Sequence, residues 1–262
     1  MNKTQTCKVY KIEDRRESQI DELLVREYPL TIFLNKKKLA TLLCSPENLK
    51  SLAIGFLRTE GLIKSIDDIS SIDLNEEKGM AYVSTQNGVS EERFFSKKID
   101  LENIKSNNTT GIQNFLKSLN CNPVESNTTI SVSKIFEFMK KDLDYSEVFK
   151  KTGGVHCVAL CSNKDMLIVY EDVARHNALD KVIGEAIVKK LYLKDKIVIL
   201  SGRVSLEMIL KAAKLEIPII ISKSAPTSLS VALANQLNIT LVGFVRGNKM
   251  NIYANNFRIE NN

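Results

Sequence analysis

Apolar and polar positions along residues 28–44 predict a β-hairpin, because Leu30 to Leu34 and Leu39 to Leu43 are β-rich runs on either side of the polar turn Asn35 to Lys38. Directly after it, Leu49, Leu52, Ala53, Phe56 and Leu57 recur at helical spacing. Ser45-Pro46-Glu47 reads as a cap, a proline at the first helical position and an acid in the first turn. A helix from Pro46 to about Arg58 is expected. Met80 to Thr85 and Glu92 to Ser96 read as strands around Asn87-Gly88, a pair that supplies the positive φ angles of a tight turn. The first hundred residues are therefore expected to be α+β.

From Lys105 to Thr129 the composition shifts to Asn, Ser and Thr, punctuated by Gly111 and Pro123, with a weak helical stretch around Phe115 to Leu119. A linker or loop is expected there. Ser131 then introduces a helix over Val132 to Lys141. The remaining chain repeats a short apolar strand, a polar turn and an amphipathic helix. Strands are predicted at Met166 to Tyr170, Lys196 to Leu200, Ile217 to Ser222, Leu241 to Val245 and Met250 to Ala254. Helices are predicted over Ala178 to Leu191, Leu206 to Leu215 and Leu229 to Leu237. This is the pattern of a mostly parallel sheet covered by helices. The expected division is an N-terminal α+β domain over 1–104, a polar linker over 105–130 and an α/β domain over 131–262.

Composition narrows the class. A chain of 262 residues that is 44% hydrophobic can bury one large core or two modest ones. The first residues hold no apolar stretch of the ~7 to 15 residues a signal peptide needs, and charges interrupt every later apolar run. A cytoplasmic protein with no membrane span is expected. Five cysteines (Cys7, Cys44, Cys121, Cys157, Cys161) are odd in number and scattered, so thiols rather than a disulfide framework are expected. Lys and Arg number 37 against 31 Asp and Glu, a net charge of +6 that suits an anionic ligand but is spread evenly. With no phosphate-binding Gly-x-x-x-x-Gly-Lys-Ser/Thr loop and no aromatics interleaved with a basic stripe, nucleic acid is not the expected partner.

Ligands of open α/β sheets lie beyond the carboxyl ends of the strands, so the residues that follow each strand are the candidates. Here they are Glu171 to Asn177, Ser201-Gly202-Arg203, Ser222 to Ser228 and Arg246-Gly247-Asn248-Lys249. Backbone amides at helix starts, hydroxyls of Ser201, Ser224, Thr227 and Ser228, and the guanidinium groups of Arg203 and Arg246 are together suited to phosphates. The whole imidazole inventory is His156 and His176. His176 stands in a polar cluster with Asp172, Arg175, Asn177, Asp180 and Lys181, which need partners or a ligand. His156-Cys157 with Cys161 does not make a zinc deaminase site, because that chemistry needs a His-x-Glu and a Pro-Cys-x-x-Cys. No zinc is expected.

Five strings carry a family resemblance: TGGVHCVAL (Thr152 to Leu160), EDVARHNALDKVIG (Glu171 to Gly184), SGRVSLEMILKAA (Ser201 to Ala213), SKSAPTSLSVALA (Ser222 to Ala234) and VGFVRGNKMNIY (Val242 to Tyr253). In this order, with EYPLTIFLN and CSPENLKSLAIGFLRTEG ahead of them, they resemble the FdhD accessory sulfurtransferases across nearly the whole chain. The resemblance implies a C-terminal cytidine-deaminase-like α/β/α domain without zinc, and a homodimer. It implies a cysteine persulfide, loaded by a cysteine desulfurase, that passes sulfur to a molybdenum bis(molybdopterin guanine dinucleotide) cofactor delivered to formate dehydrogenase, with guanine nucleotides as partial ligands. The family's cofactor-binding segment maps onto Phe244, Val245, Arg246, Gly247, Asn248 and Lys249. The family's cysteine pair, measured back from Thr152, falls near Lys105 and Ser106, where NIKSNNTTGIQ has no thiol. Cys121, later in the same polar segment, is the remaining candidate for a displaced carrier. Without a carrier the same resemblance implies a non-catalytic cofactor chaperone.

Overall fold

The structure is a computed structural model that describes residues 1–86 and 109–261. The expected Asn87-Gly88 turn, the strand Glu92 to Ser96 and the positions Lys105 and Ser106 lie outside the described residues. The chain is a mixed α/β protein, as the sequence predicts. Its N-terminal part opens with a hairpin, β1 (Thr4–Glu13) and β2 (Arg16–Val25), closed by Asp14 and Arg15 at positive φ. A four-stranded sheet follows in the order β4 (Lys37–Cys44), β3 (Tyr28–Leu34), β6 (Met80–Thr85), β5 (Ile69–Asn75). Leu30, Ile32 and Leu34 of β3 turn one face inward, as the alternation predicts.

Helix α1 (Leu49–Glu60) begins three residues later than its sequence cues suggest. Asn48, in the left-handed region, precedes it, and its side chain does not cap it. Ser45 is used elsewhere: its hydroxyl accepts the Val173 N–H at 3.1 Å, and its own N–H donates to Asp172 Oδ2 at 3.0 Å. Tertiary bonding has therefore overridden the local capping signal.

Inside the expected linker, residues Thr109–Ser118 form helix α2. Ile112, Phe115 and Leu116 form its apolar stripe and are buried in the main core, together with Cys121 and Val124. The Val124 N–H bonds the Leu237 carbonyl at 2.8 Å, so this polar stretch is docked on the body of the molecule. The weak helical stretch expected around Phe115 to Leu119 is the end of an amphipathic helix that reaches back to Thr109.

The larger sheet has six strands in the order β13 (Lys249–Ala254), β12 (Thr240–Arg246), β11 (Ile219–Ser222), β10 (Ile197–Leu200), β8 (His156–Cys161), β9 (Met166–Asp172). β10, β11 and β12 pair parallel, and β9, beyond β8, runs in the same direction. β8 and β13 pair antiparallel to this core, and β9 antiparallel to β8. The expected strand–helix repeat holds from β9 onward, and four of the six strands run the same way; β8, which the sequence pattern did not mark as a strand, and β13 run against them. Along each central strand residues alternate between two cores. Val158, Leu160, Val198, Leu200 and Ile220 face α5 (Arg175–Val188), α6 (Leu206–Lys214) and α7 (Ser228–Gln236). Ala159, Cys161, Ile197, Ile199, Ile219 and Ile221 face α3 (Val132–Tyr145), which short α4 (Glu147–Thr152) follows. A two-stranded parallel pair, β7 (Ile130–Ser131) with β14 (Ile259–Glu260), ties the start of α3 to the chain's end.

The two sheets share one core, because α1 is buried almost all round between the small sheet and α5. Their crossing is set by glycine. A Cβ on Gly55 would lie 1.7 Å from the Asp180 carbonyl oxygen, and one on Gly184 1.8 Å from that of Ser51. The two backbones touch, which no rotamer change could relieve. Gly184→Ala is expected to destabilise the protein by about 3 kcal/mol, the upper end of overpacking costs, and urea denaturation followed by circular dichroism checks it.

Candidate functional site

All the turns singled out in the sequence lie on one edge of the six-stranded sheet, at the carboxyl ends of β10, β11 and β12 and the neighbouring ends of β8 and β9. They do not all do the same work. The β12–β13 turn and helix α3 enclose a cavity of about 560 Å³ lined by Phe136, Met139, Lys140, Lys223, Val245 and Arg246, with Glu137, Gly247 and Asn248 completing it. Four of the six residues of the expected binding segment therefore line one cavity. Lys249 pairs with Arg246 across the hairpin and is exposed.

Phe244 is held in an uncommon conformation. Its φ is 52°, at a register irregularity between Gly243 and Arg246, and its N–H donates to the Ser224 carbonyl at 3.1 Å. Bulky residues rarely adopt positive φ, and such strain concentrates at functional sites. The consequence is an aromatic ring 38% exposed, with the Arg246 guanidinium 5.6 Å from its centre. Lys140 and Lys223 add cations to the same cavity. Glu137 is held well below the usual carboxylate range by its bond to Lys134 and by that to Lys141. Lys223 falls in the expected segment Ser222 to Ser228, whereas Phe136, Met139 and Lys140 carry no local signal that α3 crosses the sheet face beside the last turn. The apolar stripe of the helix was the only cue.

The serines and threonines have local roles. Ser201 Oγ accepts the Cys157 N–H at 3.0 Å, joining β8 to the end of β10. Ser222 Oγ donates to the Gly202 carbonyl at 2.6 Å and accepts the Ser224 N–H at 2.9 Å. Thr227 caps α7 by accepting the Ser230 N–H at 3.2 Å, and Ser228 is the exposed first residue of that helix.

The polar cluster Glu171 to Lys181 is mostly occupied with itself. Lys181 and Asp172 form a fully buried ion pair at 2.7 Å. Lys181 also donates to the Ser45 and Glu171 carbonyls, each at 3.2 Å. Asn177 donates its amide to the Leu43 carbonyl at 2.7 Å and to Asp172 at 3.1 Å. Buried Asp180 accepts from Lys211 at 2.6 Å and from the Thr59 hydroxyl at 2.8 Å. His176, Arg175, Gly202 and Arg203 remain at the edge with His156. His176 Nε2 lies 2.9 Å from Glu207 and 3.5 Å from the Ser205 hydroxyl. Burial lowers its pKa to about 4, with Arg175 adding to the effect. Burial and then Arg175 lower that of His156 as well.

The five cysteines form no disulfide, and Cys44, Cys121, Cys157 and Cys161 are buried while Cys7 is partly exposed. Burial pushes the Cys44 thiol up to about 12 and raises those of Cys157 and Cys161. Among the described residues no three His, Cys, Asp or Glu side chains gather as a metal-ligand group, and no helix is long and apolar enough to cross a membrane.

Asp142, on α3, is fully buried, and the weak Cys157 thiol is the donor that faces its carboxyl, with no N–H or O–H partner among the described residues. Burial pushes its carboxyl up to about 7, opposed by the Cys157 thiol and by Lys223. A carboxyl raised above its ordinary 3.8 favours folding at low pH, and that contribution is lost as pH rises through about 7. Wild type is therefore expected to lose about 2 to 4 kcal/mol relative to Asp142→Asn between acid and mildly alkaline buffer, measured by urea denaturation across pH.

Comparison with known proteins places the chain in a family. The FdhD/NarQ family model matches residues 25–260. The sulfur carrier protein FdhD of Halalkalibacterium halodurans is 39% identical over 252 residues, covering 95% of this chain and 93% of its own. That of Bacillus pumilus is 41% identical over 254 residues, covering 95% of each. A crystal structure from Desulfotalea psychrophila, assigned as a formate dehydrogenase accessory protein, matches with a TM-score of 0.81 at 27% identity, covering 99% of this chain and 100% of that one.

Proposed function

The chain belongs to the FdhD/NarQ family, and from that premise we propose that it is a sulfur carrier accessory to formate dehydrogenase, acting on a molybdenum cofactor that carries guanine dinucleotides. The observation that supports the cofactor part is the cavity between α3 and the β12–β13 turn, where Lys140, Lys223 and Arg246 converge beside the exposed Phe244 ring. A guanine dinucleotide brings phosphates for the cations and a flat base for the ring. A guanidinium grips a phosphate through two parallel hydrogen bonds, which an ammonium cannot do. On this reading a cysteine desulfurase supplies the sulfur, formate dehydrogenase receives the finished cofactor in the cytoplasm, and the working form is a homodimer.

A second reading rests on a specific observation. A persulfide is built on a thiolate, and burial disfavours the charged form. No cysteine lies between Cys44 and Cys121 in the sequence, and Cys121 itself is buried beneath α2 at 9% exposure, its thiol 3.8 Å from the Leu119 carbonyl. These facts favour a chaperone that holds the cofactor without carrying sulfur.

Two measurements test the proposal. Arg246→Ala is expected to weaken guanosine diphosphate binding about tenfold or more in isothermal titration calorimetry; unchanged affinity would count against the phosphate contact. Mass spectrometry after incubation with a cysteine desulfurase and cysteine reads the sulfur step. A persulfide lost in Cys121→Ser identifies the carrier, whereas no persulfide on any cysteine, with nucleotide binding intact, leaves the chaperone.

A further inference from the structure

The cations of the cavity between α3 and the β12–β13 turn have no acids of their own among the described residues. Lys140, Lys223 and Arg246 line it without an ion pair, while Glu137, the acid at its edge, is held by Lys134 and Lys141. A second carboxyl stands behind this lining. Asp142 follows Met139 by about one turn of α3 and is fully buried against the sheet, its side-chain oxygens meeting no N–H or O–H.

Each element packed on α3 contributes to what Asp142 meets. β8 presents the Cys157 and Cys161 thiols, and the turn after β11 presents Lys223, the cavity cation that faces the buried carboxyl. β7, β10 and β12 turn Ile130, Ile197, Ile199 and Val242 toward the helix. Glu171, in β9, faces Cys157 instead and is bonded to Ser146 and Lys3. Lys223 is therefore shared between an internal acid and the cavity. A thiol is a weak donor, and burying a carboxyl beside one costs more than burying an apolar side chain of the same size. Packing alone gives no reason for an acid at this place, whereas control of the Lys223 charge does. Burial pushes the carboxyl up to about 7, against the Cys157 thiol and Lys223, so its charge changes near neutral pH.

We propose that Asp142 is a positioning residue for the anion cavity: as a carboxylate it attracts the Lys223 ammonium and sets a negative charge behind it, and as a neutral acid it leaves Lys223 to the ligand. The inference rests on the reading that a phosphate-bearing ligand occupies this cavity, and adds that ligand and proton enter together. A phosphate that draws Lys223 away from Asp142 removes the cation that favoured the carboxylate, so the carboxyl takes up a proton from solvent as the ligand binds. By linkage, acid strengthens binding to the same extent.

The test is isothermal titration calorimetry of the full chain with guanosine diphosphate, from mildly acid to mildly alkaline buffer. Titration of the nucleotide's own phosphate and of the two histidines is common to wild type and variant, so the affinity ratio isolates Asp142. Asp142→Asn, which fixes the neutral form, is expected to bind like wild type in acid and about fivefold or more tighter than wild type in alkaline buffer. A merely structural change would shift affinity by the same factor at every pH. A further measurement needs neither ligand nor a folded Asp142→Asn. In Lys223→Gln the pH at which the Asp142 contribution to stability is lost, read by urea denaturation, is expected to move upward, because the cation that favoured the carboxylate is gone. With nucleotide binding intact, an affinity ratio constant in pH overturns the role of Asp142 and leaves the cofactor reading standing, as does an unmoved midpoint in Lys223→Gln. Wild type that binds no guanosine diphosphate at any pH overturns the cofactor reading and the inference with it.

Discussion

The structure depends on two helices touching backbone to backbone. Gly55 and Gly184 remove the side chains that would otherwise hold α1 and α5 apart, and every long-range feature of the sheet edge follows from that closeness. With α1 seated on α5, the segment just before α1 reaches the end of β9, so that the Ser45 hydroxyl and amide meet Val173 and Asp172. Thr59, near the other end of α1, meets Asp180. The small sheet is thereby fixed against the large one by apolar burial, with buried polar bonds at both ends of the crossing that fix its register. A buried ion pair such as Asp172 with Lys181 adds little net stability against an apolar replacement, but it makes misplacement costly, since a displaced partner leaves a bare charge in the core.

That arrangement explains why a motif dense in charged residues is not simply a binding loop. Within Glu171 to Lys181, Asp172, Asn177, Asp180 and Lys181 face inward and join the two sheets, whereas Arg175 and His176 remain at the edge. The same division holds at the other strand ends. Ser201, Ser222 and Thr227 complete strand and helix ends, and cations and an aromatic ring from β12, α3 and the turn after β11 supply the surface a ligand would meet. Strain at Phe244 belongs to this second group, because nothing in the packing of an exposed ring requires a positive φ.

Much of this was legible in the sequence and some was not, for physical reasons. Period and turn chemistry located β3, β4, α1 and the strand–helix repeats from β9 onward within a few residues. The β1–β2 hairpin was missed because its two-residue turn is Asp14-Arg15, without the glycine that marks such turns, and because few of its side chains are apolar. β8 was not picked out as a strand, because burial on both faces erases the alternation that marks one. Proximity across the sheet, such as α3 beside Arg246 or His156 beside Gly202, is a property of topology that no local pattern encodes.

The sulfur chemistry turns on the same distinction between what is buried and what is open. Cys44, Cys157 and Cys161 lie in the core, where the apolar surroundings that make the fold stable also hold the thiols in their inert, protonated form. Cys121 is in a different position. It directly follows a short helix, and the segment around it is joined to the body by the Val124 amide on the Leu237 carbonyl and the Asn238 side chain on the Val124 carbonyl, together with the apolar stripe of α2. Arg258, buried, adds a bond from its Nε to the Ser126 carbonyl, so lifting this segment breaks a handful of bonds and uncovers its apolar stripe, whereas exposing Cys157 would require opening the central sheet. Local openings of this kind cost less than global unfolding. A rigidly docked α2 keeps the Cys121 thiol buried.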